Sequence, residues 1–202
     1  MGKNQHTIYG INGSAAILSS KDYKIIDIFI QSGSPAERDG NITRALGQHG
    51  GHIKFIKPTH FKSKYSKWRT QGIVVTFNGI IEQSIPSFKN KTGNIGLLIL
   101  DRIEDPQNMG QIIRTAECAG IEGIIIPKHE SCGVTDTVIQ VSQGAFTQMP
   151  IYEVNNLHQT ITNLKSEDFW VIAMENSLKA KEWHKIDYSG KFSMKKAKHK
   201  VL

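Results

Sequence analysis

The stretch LDRIEDPQNMGQIIRTAECAGIEGIIIP (residues 100–127) decides the fold. It is bracketed by two short apolar runs, IGLLIL (95–100) and GIIIP (123–127). Each is strand-sized and nearly continuous, the pattern of a strand covered on both faces. Between them, MGQIIRTAECAG (109–120) sets Ile112, Ile113 and Ala116 on one helical face and ends at Gly120. Strand, helix and strand in that order predict a parallel sheet. The buried strand ends at Asp101, and acidic residues with Pro106 lead into a helix whose first turn carries Asn108 and Gly110. That places an amide side chain and free backbone N–H groups at the carboxyl edge of the sheet. Open α/β sheets bind ligands there, and a helix N-terminus favours anions. Arg114 lies one turn beyond Gly110 on the same side. A guanidinium on a largely apolar helix needs a partner. It either serves a ligand or pairs with Glu117 or Asp101 to hold the fold.

Downstream the alternation continues: DTVIQVSQGAF (136–146) as helix, MPIYEV (149–154) as strand, NLHQTITNLKSE (156–167) as helix, FWVIAM (169–174) as strand. Upstream, IYGINGSAAILSS reads as a helix with Ile11, Ala15 and Leu18 at helical spacing and Asn12 or Ser14 able to cap. IIDIFI (25–30) is a strand. AERDGNITRALGQHGG is a helix weakened by Gly40 and closed at Gly50-Gly51. HIKFI (52–56) is a second strand, Pro58 starts a short helix, and GIVVTF (72–77) is a third, buried strand. The stretch NGIIEQSIPSFKNKTGN (78–94) has no sustained periodicity. The expected organisation is therefore a domain over 1–78, a linker over 79–94, a second domain over 95–190, and a disordered basic tail over 191–202. No internal repeat is visible.

The 202 residues, 39% hydrophobic, suffice for one or two domains with a real core. No apolar run approaches the ~20 residues of a membrane span, and MGKNQHTIYG has no signal-peptide core. Two cysteines, Cys118 and Cys132, exclude a disulfide scaffold and point to a reducing compartment, so a cytoplasmic protein is expected. Charge is uneven. Residues 1–78 carry 11 Lys+Arg against 4 Asp+Glu, residues 79–189 carry 9 against 14, and residues 190–202 carry 5 against none. A basic first part suits a polyanion, and nucleic acid is the usual one. Within it, KFIKPTHFKSKYSKWR (54–69) interleaves Lys54, Lys57, Lys62, Lys64, Lys67 and Arg69 with Phe55, Phe61, Tyr65 and Trp68. Cations neutralise phosphates and exposed aromatics stack on bases. The plain alternative is core aromatics flanked by solvated lysines. His49-Gly-Gly-His52 has no further ligand nearby, so no metal is expected. No GxGxxG follows the 95–100 strand and no GK[ST] occurs, which disfavours dinucleotide and P-loop readings.

Asp105-Pro106-Gln107-Asn108-Met109-Gly110, followed by Arg114-Thr115-Ala116, resembles the first signature of the SpoU or TrmH-type RNA ribose 2′-O-methyltransferases of the knotted SPOUT class. Ser142, Gly144 and Ala145 resemble the family's middle segment. Tyr9-Gly10-Ile11-Asn12 is similar to the start of the small RNA-binding domain that many of these enzymes carry. The resemblance implies an α/β chain with a small N-terminal RNA-binding domain and a parallel-sheet SPOUT-like domain. It implies methyl transfer from S-adenosylmethionine to a ribose 2′-OH of rRNA or tRNA, by a homodimer, with neither membrane nor metal involved. Carried onto this chain, Arg114 positions the hydroxyl and stabilises the developing alkoxide, Asn108 shapes the loop or bonds the substrate, and Glu117 orients Arg114. In the family, a segment like KEWHKIDYSGK (181–191) leads to a glycine-rich loop and a third signature that form most of the donor pocket and the knot. Here FSMKKAKHKVL follows. The knot-forming C-terminal part is therefore expected to be missing, with no strand after Gly190. Glu175 and Asn176, after the 169–174 strand, are the only nearby candidates for the donor. Two other functions stay open: an inactive RNA-binding remnant, and a small-ligand enzyme holding an anion at the Asn108–Arg114 corner.

Overall fold

The structure, a computed structural model, describes residues 4–174 and 181–196. The chain forms two units, Met1–Ile81 with Val134–Gln148, and Glu82–Gly133 with Met149–Leu202.

The first unit begins with β1 (Gln5–Tyr9), α1 (Ile11–Ser19), β2 (Lys24–Gln31), α2 (Pro35–Arg38), α3 (Gly40–Leu46), β3 (Ile53–Ile56), α4 (Pro58–Tyr65) and β4 (Ile73–Asn78). Its sheet has the order β1-β4-β2-β3, with β4 antiparallel to both neighbours and β2 parallel to β3. Alternating residues such as Ile28, Ile30, Val75 and Phe77 fill the core with Ile17, Leu18 and Phe61. Strand β1 was not legible, because QHTIY shows one fully buried residue, Ile8. Pairing with β4, from Gln5↔Asn78 to Tyr9↔Val74, makes it a strand. Gly10 stands at the N-cap of α1, with no side-chain cap from Asn12 or Ser14. The single helix expected after Pro35 is two helices. Ser34 caps α2, and the Asp39 carboxylate accepts from the Asn41 and Ile42 N–H groups to start α3. Local side-chain caps outcompete one continuous helix there.

The second unit contains β5 (Glu82–Gln83), β6 (Ile95–Ile99), α5 (Pro106–Cys118) and β7 (Gly123–Pro127). The chain then returns to the first unit for α6 (Asp136–Ser142). The helix expected to run to 146 ends at Ser142. Gln143 (φ 53) and Gly144 (φ 98) turn the chain into a 3-10 turn, Ala145–Thr147. A side chain at Gly144 would put its Cβ 2.4 Å from that of Ala16, so glycine is required. Next, in the second unit, come β8 (Ile151–Val154), α7 (Leu157–Lys165), β9 (Trp170–Met174) and β10 (Lys191–Lys196). Every pairing in this sheet is parallel, in the order β5-β8-β7-β6-β10-β9.

Two sequence expectations are corrected. Residues 79–94 are not all linker: β5 pairs with β8, and Phe88, 1% exposed, packs with Leu97, Ile99, Tyr152 and Phe169. The Phe88 N–H and the Ser87 hydroxyl both donate to the Glu167 carboxylate (2.6 and 2.9 Å). Residues 191–196, expected as disordered tail with no strand pattern, form β10 between β6 and β9. The lysines masked it. Ser193 is fully buried, Lys191 Nζ donates to the Phe88 carbonyl (2.8 Å), and Lys195 pairs with Asp101 (3.3 Å). Charges placed at strand ends with partners do not prevent a buried middle. Residues 197–202, and the donor candidates Glu175 and Asn176, lie outside the described residues. Among the described residues no helix is long and apolar enough to cross a membrane.

In hydrogen exchange, the amides of Ser193 and Met194 are expected to exchange as slowly as those of Leu97 and Leu98 in β6. Exchange at the rate of a free peptide would contradict the placement of β10.

Candidate functional site

The carboxyl end of β6 is extended by the Leu100 N–H, which donates to the Ile125 carbonyl (2.9 Å). Asp105 then caps α5, its carboxylate accepting from the Gln107 N–H (2.9 Å), and Pro106 occupies the first helical position. Met109, Gly110, Ile113 and Ala116 form the buried face of the helix. Asn108 and Arg114 are exposed. Six residues separate them, so Arg114 stands about 9 Å further along the axis. The helix presents both to solvent and does not bring them into mutual contact.

Among the described residues the Arg114 side chain makes no hydrogen bond or ion pair. Asp101 is paired instead with Lys195, and Glu117 accepts a contact from the Cys118 thiol (3.6 Å). The alternative of an arginine locked to Glu117 or Asp101 is therefore not the arrangement found. An arginine on the solvent side of the helix has no desolvation cost to offset, which removes the need for an internal partner.

Sequence reasoning missed how the edge is held. Arg102 (φ 59) and Glu130 (φ 60) both adopt left-handed backbone and form an ion pair of 2.6 Å between the loops that follow β6 and β7. The Ile103 carbonyl accepts from the Cys132 N–H (3.0 Å) and from the Ser131 hydroxyl (3.3 Å). A positive φ in a non-glycine residue leaves no compositional signal, and Lys195 was hidden in the supposed tail. Burial pushes the Cys132 thiol up, opposed by its backbone hydrogen bond and reinforced by Asp105. A thiol held protonated is no nucleophile at neutral pH.

In the first unit, Lys54, Lys57, Lys62, Lys64, Lys67 and Arg69 are all exposed along β3, α4 and the following loop. They are not equivalent. Lys54 pairs with Asp27, and the Lys64 ammonium sits 4.3 Å over the Phe29 ring. Lys57, Lys62, Lys67 and Arg69 have no partner among the described residues. The aromatics divide as well. Phe61 is core and Tyr65 is half-buried, while Phe55 (58%) and Trp68 (41%) are exposed. His49 donates to the Leu18 carbonyl and His52 to the Ile26 carbonyl (2.9 Å each). Among the described residues no group of three or more His, Cys, Asp or Glu could hold a metal ion.

The carboxyl ends of β6, β10 and β9 lie side by side in the sheet, and there Lys195 is paired with Asp101.

The profile of the SpoU rRNA Methylase family matches residues 96–197. The chain is similar to the 23S rRNA (guanosine-2′-O-)-methyltransferase RlmB of Shewanella oneidensis, 32% identical over 173 residues, or 84% of this chain and 70% of that protein. It is also similar to a Staphylococcus aureus protein of the TrmH family of tRNA/rRNA methyltransferases, 45% identical over 94 residues. That match spans 46% of this chain and 38% of that protein, less than half of either. Among solved structures, the AdoMet-bound rRNA methyltransferase from Sinorhizobium meliloti aligns with a TM-score of 0.68 at 21% identity. It covers 95% of this chain and 69% of that one, and the likeness is one of fold.

Replacing Asp105 by Ala removes the cap that starts α5. Thermal melts followed by circular dichroism are expected to show a loss of about 1 kcal/mol, while Asp105→Asn, which still caps, stays near the parent.

Proposed function

The chain belongs to the SpoU rRNA methylase family, and on that premise we propose that it transfers a methyl group from S-adenosylmethionine to a ribose 2′-OH of rRNA or tRNA. The observation that carries the reading is Arg114, a guanidinium with no partner among the described residues, on the helix that Asp105 starts at the sheet's carboxyl edge. Its role is to hold the ribose or its phosphate and to stabilise negative charge as the hydroxyl loses its proton. With a pKa above ~12 it does not act as the base. Asn108, in the first turn, bonds the substrate or shapes the approach to it. Glu117, one turn beyond Arg114, orients that side chain once RNA is engaged. Lys57, Lys62, Lys67 and Arg69 supply the sequence-independent attraction for the RNA backbone.

The methyl donor brings the electrophilic carbon. No step through it is derived from the described residues. The same observation favours a second reading, RNA binding without methyl transfer. Titration calorimetry with S-adenosylmethionine separates the two, since binding supports the transferase and its absence beside intact RNA binding supports the second reading. A homodimer completes the proposal, supported by Trp170 (74% exposed) and Met174 on the edge strand β9. Free Cys118 and Cys132 suit a reducing cytoplasm.

Arg114→Ala should lower transfer of labelled methyl to ribosomal RNA by roughly 10²–10³-fold, with melting temperature little changed and RNA affinity falling far less than the rate. Full activity in that variant would remove Arg114 from the chemistry. A Lys57→Ala, Lys62→Ala, Lys67→Ala triple variant is expected to flatten the dependence of log affinity on log salt by about 2, measured by RNA anisotropy. An unchanged slope would move the RNA face elsewhere.

A further inference from the structure

In the first unit a polar cleft of about 220 Å³ opens where the end of β1, the first turn of α1, the loop before β4 and the end of α6 meet. Its walls are held from behind. Gln140 grips the Tyr9 backbone twice, accepting from its N–H (3.0 Å) and donating to its carbonyl (2.9 Å). Gln71 accepts from the Ile11 N–H (3.0 Å). The Tyr9 ring stacks on Trp68 at 5.0 Å with 8° between planes, and Trp68 stacks on Tyr65 at 5.6 Å. Gln71 and Gln143, both at φ 53, occupy left-handed backbone without being glycine. Such backbone persists where its surroundings over-determine it, and it clusters at binding sites.

Inside these walls three polar side chains are unused. The side chains of Asn12, Arg69 and Gln143 make no hydrogen bond or ion pair among the described residues. Among the described residues no carboxylate lines the cleft, and Arg69 there suits an anion. Two amides, each able to donate and accept, beside a guanidinium match a group with mixed donors and acceptors next to a phosphate. The volume lies below the ~300 Å³ at which pockets for drug-sized ligands begin, which leaves room for one base and not a stacked run.

We propose that this cleft seats a single unpaired nucleotide of the RNA, its base edge read by Asn12 and Gln143 and its phosphate held by Arg69. The proposal rests on the reading of the chain as an RNA-modifying enzyme and adds a recognition site to it. Exposed lysines fix an RNA backbone and carry no sequence information. An unpaired base offers its hydrogen-bonding edge, whereas a duplex hides it. The cleft therefore supplies a preference for single-stranded segments that the lysines cannot.

The test uses the full chain, a fluorescein-labelled short single-stranded RNA and the perfectly paired duplex of the same sequence, read by anisotropy. Asn12→Ala and Gln143→Gly both act on exposed side chains, and glycine accepts the φ of position 143. Each is expected to weaken single-strand binding roughly 3- to 10-fold and to leave duplex binding and the salt slope unchanged. Arg69→Gln is expected to weaken single-strand binding and flatten its salt slope by about 0.7. If both amide variants bind the single strand as the parent does, or lose the same factor on duplex and single strand, the cleft is overturned as a nucleotide site and RNA binding stands. Should Gln143→Gly lower the melting temperature, Asn12→Ala decides alone. If the parent binds neither RNA, the underlying functional reading fails, and this proposal with it.

Discussion

The second unit depends on backbone pairing of β10 with two strands at once. Lys191 to Lys195 register against Ile95 to Ile99 on one side, and Phe192 to Lys196 against Trp170 to Met174 on the other. Without this insertion β6 would be an open edge, and the carboxyl edge at Asp101 would lose the ammonium that balances it. A strand in the middle of a parallel sheet is covered on both faces, so its neighbours must make room. Gly96 does so: a Cβ there would lie 2.7 Å from the Phe192 ring. The Gly96 N–H is satisfied by the Glu122 carboxylate, which ties the strand to the turn after α5. Backbone and side-chain bonds thus converge on one register, and that register places the start of α5.

The two units deploy charge differently. The first keeps Lys57, Lys62, Lys67 and Arg69, whose side chains have no partner among the described residues, on α4 and the loops that flank it, where solvation costs nothing and long-range attraction is retained. The second uses its charges to fix loops: Arg102 on Glu130, Lys195 on Asp101, and Glu167 on the Ser87 hydroxyl and the Phe88 N–H. Arg114 stands apart, since its side chain has no partner among the described residues. A charge without such a partner, on a helix otherwise used for packing, supports the proposed role of Arg114 toward the substrate.

Much of this was legible before any coordinates. The strands at 25–30, 72–77, 95–100 and 123–127 are dense in β-branched and aliphatic residues, and each was found within a residue or two. The apolar spacing after Met109 announced α5 through periodicity, a local effect, whereas its start at Pro106 under the Asp105 cap lies three residues before the expected helix at 109. The signature around Asn108 and Arg114 was legible because motif and helix start coincide. What escaped depends on partners distant in sequence. QHTIY is a strand only beside β4, KFSMKK only between β6 and β9, and Phe88 is core only because the sheet of the second unit lies against it.

The sequence by itself determined the α/β class, the parallel order of the second half, the basic excess of the first and the motif from Asp105 to Ala116. These follow from periodicity, caps and composition, which act over a few residues. Only the tertiary structure decided that Arg114 has no side-chain partner among the described residues, that residues 191–196 enter the sheet, and that Asn12, Arg69 and Gln143 border one cleft. Those outcomes turn on hydrogen bonds and close approaches between segments far apart in the chain, where local preference is weak and the pairing partner sets the result.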